Sequence, residues 1–238
     1  MTSSVYVPSH TAGRSARSRL VPVLTVWAVL SAVGAVRAEI VTGTIDARTK
    51  AGASRGTAIV YAEPLDGAAP RRPTTVRLEQ KDKTFRPSVI VLPVGSTVEF
   101  PNLDAIFHNV FSLSRPEPFD LGLYRAGASK SRTFTQPGTY WVFCNIHPQM
   151  AAFLAVVPTP WATVADTKGT FRLELPRGRY RITALSDRAQ PVTAEITVGA
   201  GTTPAPTLAV DETAWIGLSH KNKFNQDYPA SAYEAGHH

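Results

Sequence analysis

The chain has 238 residues, and its 25 Lys and Arg against 18 Asp and Glu give a formal net charge of +7. Four of these basic residues and none of the acidic ones lie in residues 1–38, which leaves 21 against 18, or +3, for the remainder. This near balance, without a clustered basic stripe, excludes a typical nucleic-acid-binding protein. The single cysteine, Cys144, excludes an internal disulfide.

Residues 1–38 have the pattern of an export signal peptide. A segment with three arginines comes first, residues 20–36 are almost wholly apolar, and Ala38 ends a small-residue cleavage motif. We expect export to the periplasm, with cleavage before Glu39 and no stable membrane span afterwards. The apolar run is also close to the length of about 20 residues that spans a bilayer, so an uncleaved membrane anchor is the alternative.

Residues 39–72 contain two β-strand patterns, EIVTGTIDA and TAIVYAEPL, and end in a Pro- and Gly-rich linker. Residues 73–157 then alternate short apolar runs with Pro- and Gly-containing turns, and residues 112–131 form a polar excursion among them. No segment of this region repeats apolar residues at helical spacing. We therefore predict an all-β sandwich of short strands over residues 73–157.

A second β pattern occupies residues 158–212, where apolar and charged residues alternate along two consecutive runs. The side chains expected to face one core are Phe171, Leu173, Leu175, Tyr180, Ile182 and Ala184. We predict that the two runs form a hairpin whose arginines make a basic outer face. A β unit of this size buries little surface alone, so we expect residues 39–72 and 158–212 to form a second small β-sandwich domain.

Residues 213–238 form a polar tail without a clear repeat. Trp215, Ile216 and Leu218 are candidates to dock this tail on a sandwich, and its last residues are expected to be disordered. We expect His220 to be a surface or capping histidine rather than a metal ligand.

Four candidate metal ligands stand out from this β framework. Cys144 begins the run CNIHPQM, in which His147 and Met150 follow at intervals of three residues, and His108 stands upstream in FHNVF. A thiolate, two imidazoles and a thioether suit copper in a trigonal site with a weak axial methionine. A lone thiol in an exported protein is open to oxidation unless something occupies it. We therefore predict one copper ion per chain, bound by these four residues.

Residues 76–157 resemble the cupredoxin family of blue copper proteins. The matching motifs are Phe-His-Asn-Val, Pro-Gly-Thr-Tyr and Cys-x-x-His-x-x-Met, and the last has a spacing similar to that of amicyanin and shorter than in plastocyanin-like proteins. The resemblance implies a Greek-key β-sandwich with a type 1 copper site. The implied equatorial ligands are His108, Cys144 and His147, with Met150 as the axial one. It also implies that Asn109 braces the ligand loop and contacts the thiolate sulfur through its backbone amide.

The same resemblance implies single-electron transfer between redox partners, such as a c-type cytochrome and a dehydrogenase, by a protein that is not an enzyme. His147 would pass the electron through an apolar surface of Ile146, Pro148, Ala151 and Ala152, unless these residues simply pack at the end of the sandwich. The segment GTFRLELPRGRYRITAL is similar to carboxypeptidase-regulatory-like domains. The combination resembles bacterial proteins of the methylamine-utilisation type.

Other roles for these residues fit less well. A buried inert thiol leaves His147 and Met150 without a role, and a Cys–His nucleophile needs a third, orienting group. Structural zinc prefers Cys and His to a thioether, a dinuclear copper centre needs a second cysteine, and a copper oxidase or nitrite reductase needs further histidine clusters. Two alternatives stay open: a periplasmic copper-binding or trafficking protein, and a β scaffold in which the metal site is incidental.

Overall fold

The computed structural model describes residues 37–217 and 220–228, and within them the chain forms β-strands and no helix. This confirms the all-β fold class. Most of the predicted export signal, residues 1–36, lies outside the described residues, and the described part holds no helix that could cross a membrane. The strands are β1 (Glu39–Arg48), β2 (Ala58–Pro64), β3 (Thr75–Arg77), β4 (Glu79–Lys81), β5 (Thr84–Arg86), β6 (Val89–Pro93), β7 (Thr97–Pro101), β8 (His108–Ser112), β9 (Phe119–Tyr124), β10 (Ser129–Thr133), β11 (Gly138–Phe143), β12 (Ala151–Val157), β13 (Ala162–Val164), β14 (Thr170–Leu175), β15 (Gly178–Ser186), β16 (Val192–Val198), β17 (Thr202–Pro204) and β18 (Leu208–Asp211).

Strands β3 to β12 form a sandwich that we name the central sandwich. One of its sheets has the strand order β10-β7-β3 and the other β6-β12-β11-β8-β9, while β4 and β5 pair with each other. Successive residues of a strand point to opposite faces, so alternate apolar side chains fill the space between the sheets. Large, fully buried side chains of this core are Leu78, Leu92, Phe100, Phe134, Tyr140, Met150 and Leu154.

Strand β9 lies inside residues 112–131, where the sequence indicates only a polar excursion, and that prediction is wrong at this point. β9 pairs antiparallel with β8, with His108 opposite Tyr124. Only Phe119 and Tyr124 of this strand are buried, and Gly122 has a left-handed φ of 69°. The sequence alternation of Phe119, Leu121 and Leu123 therefore does not continue as burial, because Leu123 is 55% exposed and Tyr124 is buried in its place.

The remaining strands, β1, β2 and β13 to β18, form a second sandwich that we name the outer sandwich. One sheet has the order β14-β1-β17, with β18 also paired to β1, and the other has the order β13-β2-β15-β16. The strands that precede the central sandwich in sequence thus share both sheets with strands that follow it. The buried core contains Val41, Ile45, Val60, Ala62, Phe171, Leu173, Leu175, Tyr180, Ile182, Leu208 and Val210.

The predicted alternation along β14 is confirmed, because Phe171, Leu173 and Leu175 are buried while Arg172 and Glu174 are exposed. The predicted hairpin between β14 and β15 is wrong. β14 pairs with β1, whereas β15 pairs with β2 and β16, so the chain crosses from one sheet to the other between them. Strands of opposite sheets face the same core and show the same alternation, which therefore does not reveal their pairing.

The two sandwiches meet in a third buried cluster. Along β12, Phe153, Ala155 and Val157 point into this cluster, and the residues between them point into the core of the central sandwich. Ile59 of β2 joins the cluster, whereas Val60 belongs to the core of the outer sandwich. The outer face of the five-stranded sheet is therefore covered in part by the outer sandwich.

Within the described residues, the C-terminal tail follows the expected docking only at Trp215. Ile216 is 91% exposed, so it does not anchor the tail, and Leu218 is outside the described residues. Trp215 lies against Arg188, whose guanidinium carbon is 5.7 Å from the ring centroid. Residues 220–228 contact the central sandwich next to the candidate metal ligands.

Candidate metal centre

The candidate ligands come from two places at one end of the five-stranded sheet. β8 begins at His108, and β11 ends one residue before Cys144. β12 begins one residue after Met150 and pairs with β11, so the Cys144–Met150 loop connects two adjacent antiparallel strands. Since β8 lies beside β11 in the same sheet, the fold brings His108 to this loop from a distant part of the sequence.

Three donor atoms converge at this end of the sheet. The Sγ of Cys144 lies 3.7 Å from the Nδ1 of His108 and 3.7 Å from the Nδ1 of His147, and the two Nδ1 atoms are 3.1 Å apart. A metal with trigonal bonds of about 2.3 Å to sulfur and about 2.0 Å to nitrogen would separate sulfur from each nitrogen by about 3.7 Å. The three residues therefore form a cluster that fits one metal ion.

The tautomer of His108 is set by an acidic neighbour. His108 is fully buried, and its Nε2 lies 2.8 Å from the Oδ2 of Asp104. A carboxylate can only accept, so Nε2 donates and the lone pair of Nδ1 is left free toward Cys144. Burial raises the pKa of Asp104, but hydrogen bonds from the Lys83 amide, the His108 ring and the Asp82 amide outweigh burial and lower it. Asp104 is therefore a fixed anion behind the buried histidine.

The other two donors differ in exposure, since Cys144 is fully buried and His147 is half-buried. Burial raises the pKa of the Cys144 thiol, and the backbone amides of Asn109, Ile146 and His147, which hydrogen-bond its sulfur, oppose that rise. Burial and the nearby His108 lower the pKa of His147, so its imidazole is neutral at physiological pH. A metal ligand must be deprotonated, and a bound cation would favour the thiolate that burial alone disfavours.

Asn109 connects the two stretches that carry the donors. Its Oδ1 accepts a hydrogen bond from the Asn145 amide at 3.3 Å, and its Nδ2 donates to the Oδ1 of Asp120 at 2.7 Å. Burial raises the pKa of Asp120, but hydrogen bonds from Lys223, Asn109 and the Gly122 amide outweigh burial and lower it. The Asn109 side chain thus contacts the loop while its amide contacts the sulfur.

Met150 ends the loop on its buried side. It is fully buried in the same core as Cys144. Its carbonyl accepts a hydrogen bond from the Cys144 amide at 3.3 Å, and its own amide donates to the His147 carbonyl at 2.9 Å. The structure therefore brings together the donors of His108, Cys144 and His147, and a thioether bond from Met150 to the metal stays a prediction.

The surface beside His147 differs from the predicted one. Ile146 is 46% exposed and Ala151 is half-buried, but Pro148 and Ala152 are buried and cannot contribute an outer surface. The loop before β8 adds further exposed apolar side chains. These are Leu103, Ile106 and Phe107.

Asp104 and residues 220–228 belong to the surroundings of this site. Neither was predicted there, and His220 was expected only as a surface or capping histidine. Asp104 precedes His108 by four residues in a loop, where sequence spacing does not fix the direction of a side chain. Residues 220–228 read HKNKFNQDY, and this polar composition gives no hydropathy signal of a docked segment.

No protein-family model matches this chain. Among solved structures, the copper-containing nitrite reductase from Thermus scotoductus SA-01 is 31% identical over 40% of this chain, with a TM-score of 0.33, and the match spans only 25% of the reductase. Amicyanin from Paracoccus versutus is 22% identical over 37% of this chain and 85% of its own, with a TM-score of 0.33. A purple cupredoxin from Nitrosopumilus maritimus is 21% identical over 34% of this chain and 99% of its own, with a TM-score of 0.33. Similarities at this TM-score do not establish a shared fold, so the site rests on its own geometry.

Proposed function

We propose that this protein is a blue-copper protein that carries single electrons, with a type 1 copper site formed by His108, Cys144, His147 and Met150. The convergence of one thiol and two imidazoles supports the proposal, because each Nδ1 lies 3.7 Å from the Cys144 sulfur. Thiolate and thioether ligands favour Cu(I), and imidazole suits both oxidation states. Zinc would gain little from Met150, since a thioether is a poor ligand for it.

Bound copper would supply a one-electron couple between Cu(II) and Cu(I). The protein's part is to hold the donors at separations that change little between the two states. The ring of His108 is oriented by its hydrogen bond to Asp104. The Cys144 sulfur accepts hydrogen bonds from backbone amides of two separate stretches of the chain. His147 is the donor residue that is only half-buried, so its ring is the route by which we expect an electron to reach a partner.

The proposal extends to export and to partners. We propose that residues 1–38 direct the chain to the periplasm and that it exchanges electrons with redox proteins such as a c-type cytochrome or a dehydrogenase. The exposed apolar side chains of Ile146 and of the loop before β8 support small, short-lived contacts. In this role the chain passes electrons on and carries out no substrate reaction of its own.

A copper titration tests this function directly. The purified protein is loaded with Cu(II), and its visible spectrum and metal content are recorded. We expect an intense blue or green thiolate-to-copper band at one copper per chain, and Cys144→Ser should abolish it while the apoprotein keeps its far-ultraviolet circular dichroism. A colourless protein that binds zinc as well as copper would refute the proposal.

A further inference from the structure

The C-terminal segment, residues 220–228, contacts the Cys144–Met150 loop at three points. The Tyr228 hydroxyl donates to the Cys144 carbonyl at 3.4 Å, and the Lys223 amide donates to the Asn145 Oδ1 at 2.9 Å. The His220 Nε2 lies 2.7 Å from the Pro148 carbonyl, which can only accept, so this nitrogen donates. The loop itself contributes two backbone bonds, Cys144–Met150 and Met150–His147, so the segment adds three hydrogen bonds to these two.

A ring stack reinforces these hydrogen bonds. The His220 ring lies 3.7 Å from the Phe143 ring, centroid to centroid, at an interplanar angle of 10°, and the Tyr228 ring meets His220 edge-on at 5.3 Å. Phe143 is the last residue of β11 and immediately precedes Cys144. The segment therefore covers the outer face of the strand end that delivers the thiolate.

Lys223 closes a ring of polar contacts around the donors. Its Nζ pairs with the Oδ2 of Asp120 at 2.8 Å, and Asp120 accepts from Asn109, which accepts from the amide of Asn145. The Asn145 side chain in turn accepts from the Lys223 amide. These four contacts form a closed hydrogen-bond network. It joins the C-terminal segment to β9, to Asn109 after His108, and to Asn145 after Cys144.

The segment is also structured by itself. The Oδ1 of Asn222 accepts from the amides of Phe224 and Gln226 at 2.9 and 3.0 Å, and Asn225 has a left-handed φ of 61°. These bonds form a tight turn between the His220 and Tyr228 anchors. A preformed turn loses less conformational entropy when it docks than a flexible tail would.

We infer that residues 220–228 are a positioning segment of the metal centre, which holds the Cys144–Met150 loop in its ligand geometry and slows the loss of copper. This inference rests on the proposed function. It assigns the segment a role through the loop and not as a metal ligand, since His220 uses its Nε2 for the Pro148 carbonyl.

The test uses the full copper-loaded chain, a chain that ends at residue 217, and the variants His220→Ala and Lys223→Met. Lys168→Met is the matched control, because Lys168 is an exposed lysine in a turn of the outer sandwich. Copper loss to a chelator, the thiolate-to-copper band and the reduction potential are measured for each. We expect loss about 10-fold faster in the shortened chain and His220→Ala, the scale typical of lost outer contacts at metal sites, together with a shifted band or potential.

The outcomes separate this inference from the proposed function. If the full chain has no thiolate band, the proposed function is refuted and the inference falls with it. If the band is present but the shortened chain and both point variants match the full chain, only the inference is overturned. Faster loss with an unchanged band and potential would indicate general stabilisation and would overturn the positioning role. If the shortened chain does not fold, the two point variants decide.

Discussion

At the scale of single residues, hydrogen bonds at the centre determine which atom of each side chain faces a metal. The proton on the Nε2 of His108 is held by Asp104, so the opposite nitrogen points to Cys144 with a free lone pair. Asp104 is in turn held by the amides of Asp82 and Lys83 at 2.7 and 3.0 Å. A fixed negative charge therefore lies one imidazole away from the proposed copper, where it stabilises the more highly charged Cu(II) state.

We expect Asp104→Asn to raise the reduction potential and to weaken copper affinity by about 10-fold. The amide removes the negative charge that favours Cu(II) and cannot accept all three hydrogen bonds that the carboxylate accepts. Spectroelectrochemistry gives the potential, and competition with a chelator gives the affinity. Asp82→Asn is the control, because it removes an acidic side chain of the neighbouring loop that pairs with Arg86 and not with His108. Equal potentials for the two variants would contradict the role of Asp104.

Met150→Leu tests the predicted axial ligand. Leucine preserves an apolar side chain of similar size in the core but removes the thioether. We expect the thiolate-to-copper band to persist and the reduction potential to rise, because a weak donor is replaced by none. The visible spectrum and the potential of the copper-loaded variant measure both effects. A potential equal to that of the parent protein would place the Met150 sulfur outside the site.

At the scale of elements, sequence patterns predicted the positions of strands better than they predicted which strands pair in a sheet. The run AAFLAVV coincides with β12, and the alternation of Phe171, Leu173 and Leu175 marks the buried face of β14. The partner of β14 is β1, more than a hundred residues earlier in the chain, and local alternation contains no information about so distant a partner.

The site was predictable to a similar extent. Cys144 and His147 could be paired from one short run, and the structure brings His108 to them as well. The positions of Asp104 and His220 beside the site could not be predicted. Asp104 lies in a loop and His220 in the tail, and the polar sequences of both fix no direction for a side chain. That Asn109 supports the loop was an expectation of the resemblance, and its contacts with Asn145 and Asp120 are findings of the structure.

The first strand of the outer sandwich is anchored by a buried carboxylate. Glu39 accepts from the Gly201 amide at 2.8 Å and from the Nε of Arg177 at 2.9 Å, and these two bonds lower its pKa from the ordinary value of 4.5. A carboxyl group whose folded-state pKa is depressed stabilises the fold above its ordinary pKa and loses that contribution as the pH falls through the folded value. The ionised form of Glu39 therefore stabilises the sandwich at neutral pH.

We expect Glu39→Gln to lower the melting temperature at pH 7, with a difference from the parent protein that shrinks as the pH falls below about 4. Thermal unfolding followed by circular dichroism across this range measures the effect. Glu174→Gln is the control, since Glu174 is exposed on β14 and its surface ion pair with Arg172 contributes little to the free energy of unfolding. A difference that stays constant down to pH 3 would show that the charge of Glu39 does not stabilise the fold.

At the scale of the whole molecule, the two sandwiches are coupled through β12 and β2. Each of these strands presents one face to its own core and the other to the shared cluster around Phe153 and Ile59. β12 also follows directly after Met150, so the strand that leaves the candidate metal centre is the one that contacts the outer sandwich. The outer sandwich therefore supports the sheet that carries the donors.

This coupling predicts a single cooperative unfolding transition for the parent protein. Phe153→Ala and Ile59→Ala each remove a buried side chain from the shared cluster without touching either sandwich core, and each should cost about 2–5 kcal/mol of unfolding free energy.

In the double variant the costs should be non-additive by about 0.5–3 kcal/mol, because the two residues share a cluster. Differential scanning calorimetry should then resolve two transitions, with a calorimetric enthalpy larger than the van't Hoff enthalpy. Leu113→Ala, which shortens an exposed side chain (43% exposed), should change stability by less than about 0.5 kcal/mol. A double variant that unfolds in one transition at the parent temperature would show that this cluster neither couples nor stabilises the two sandwiches.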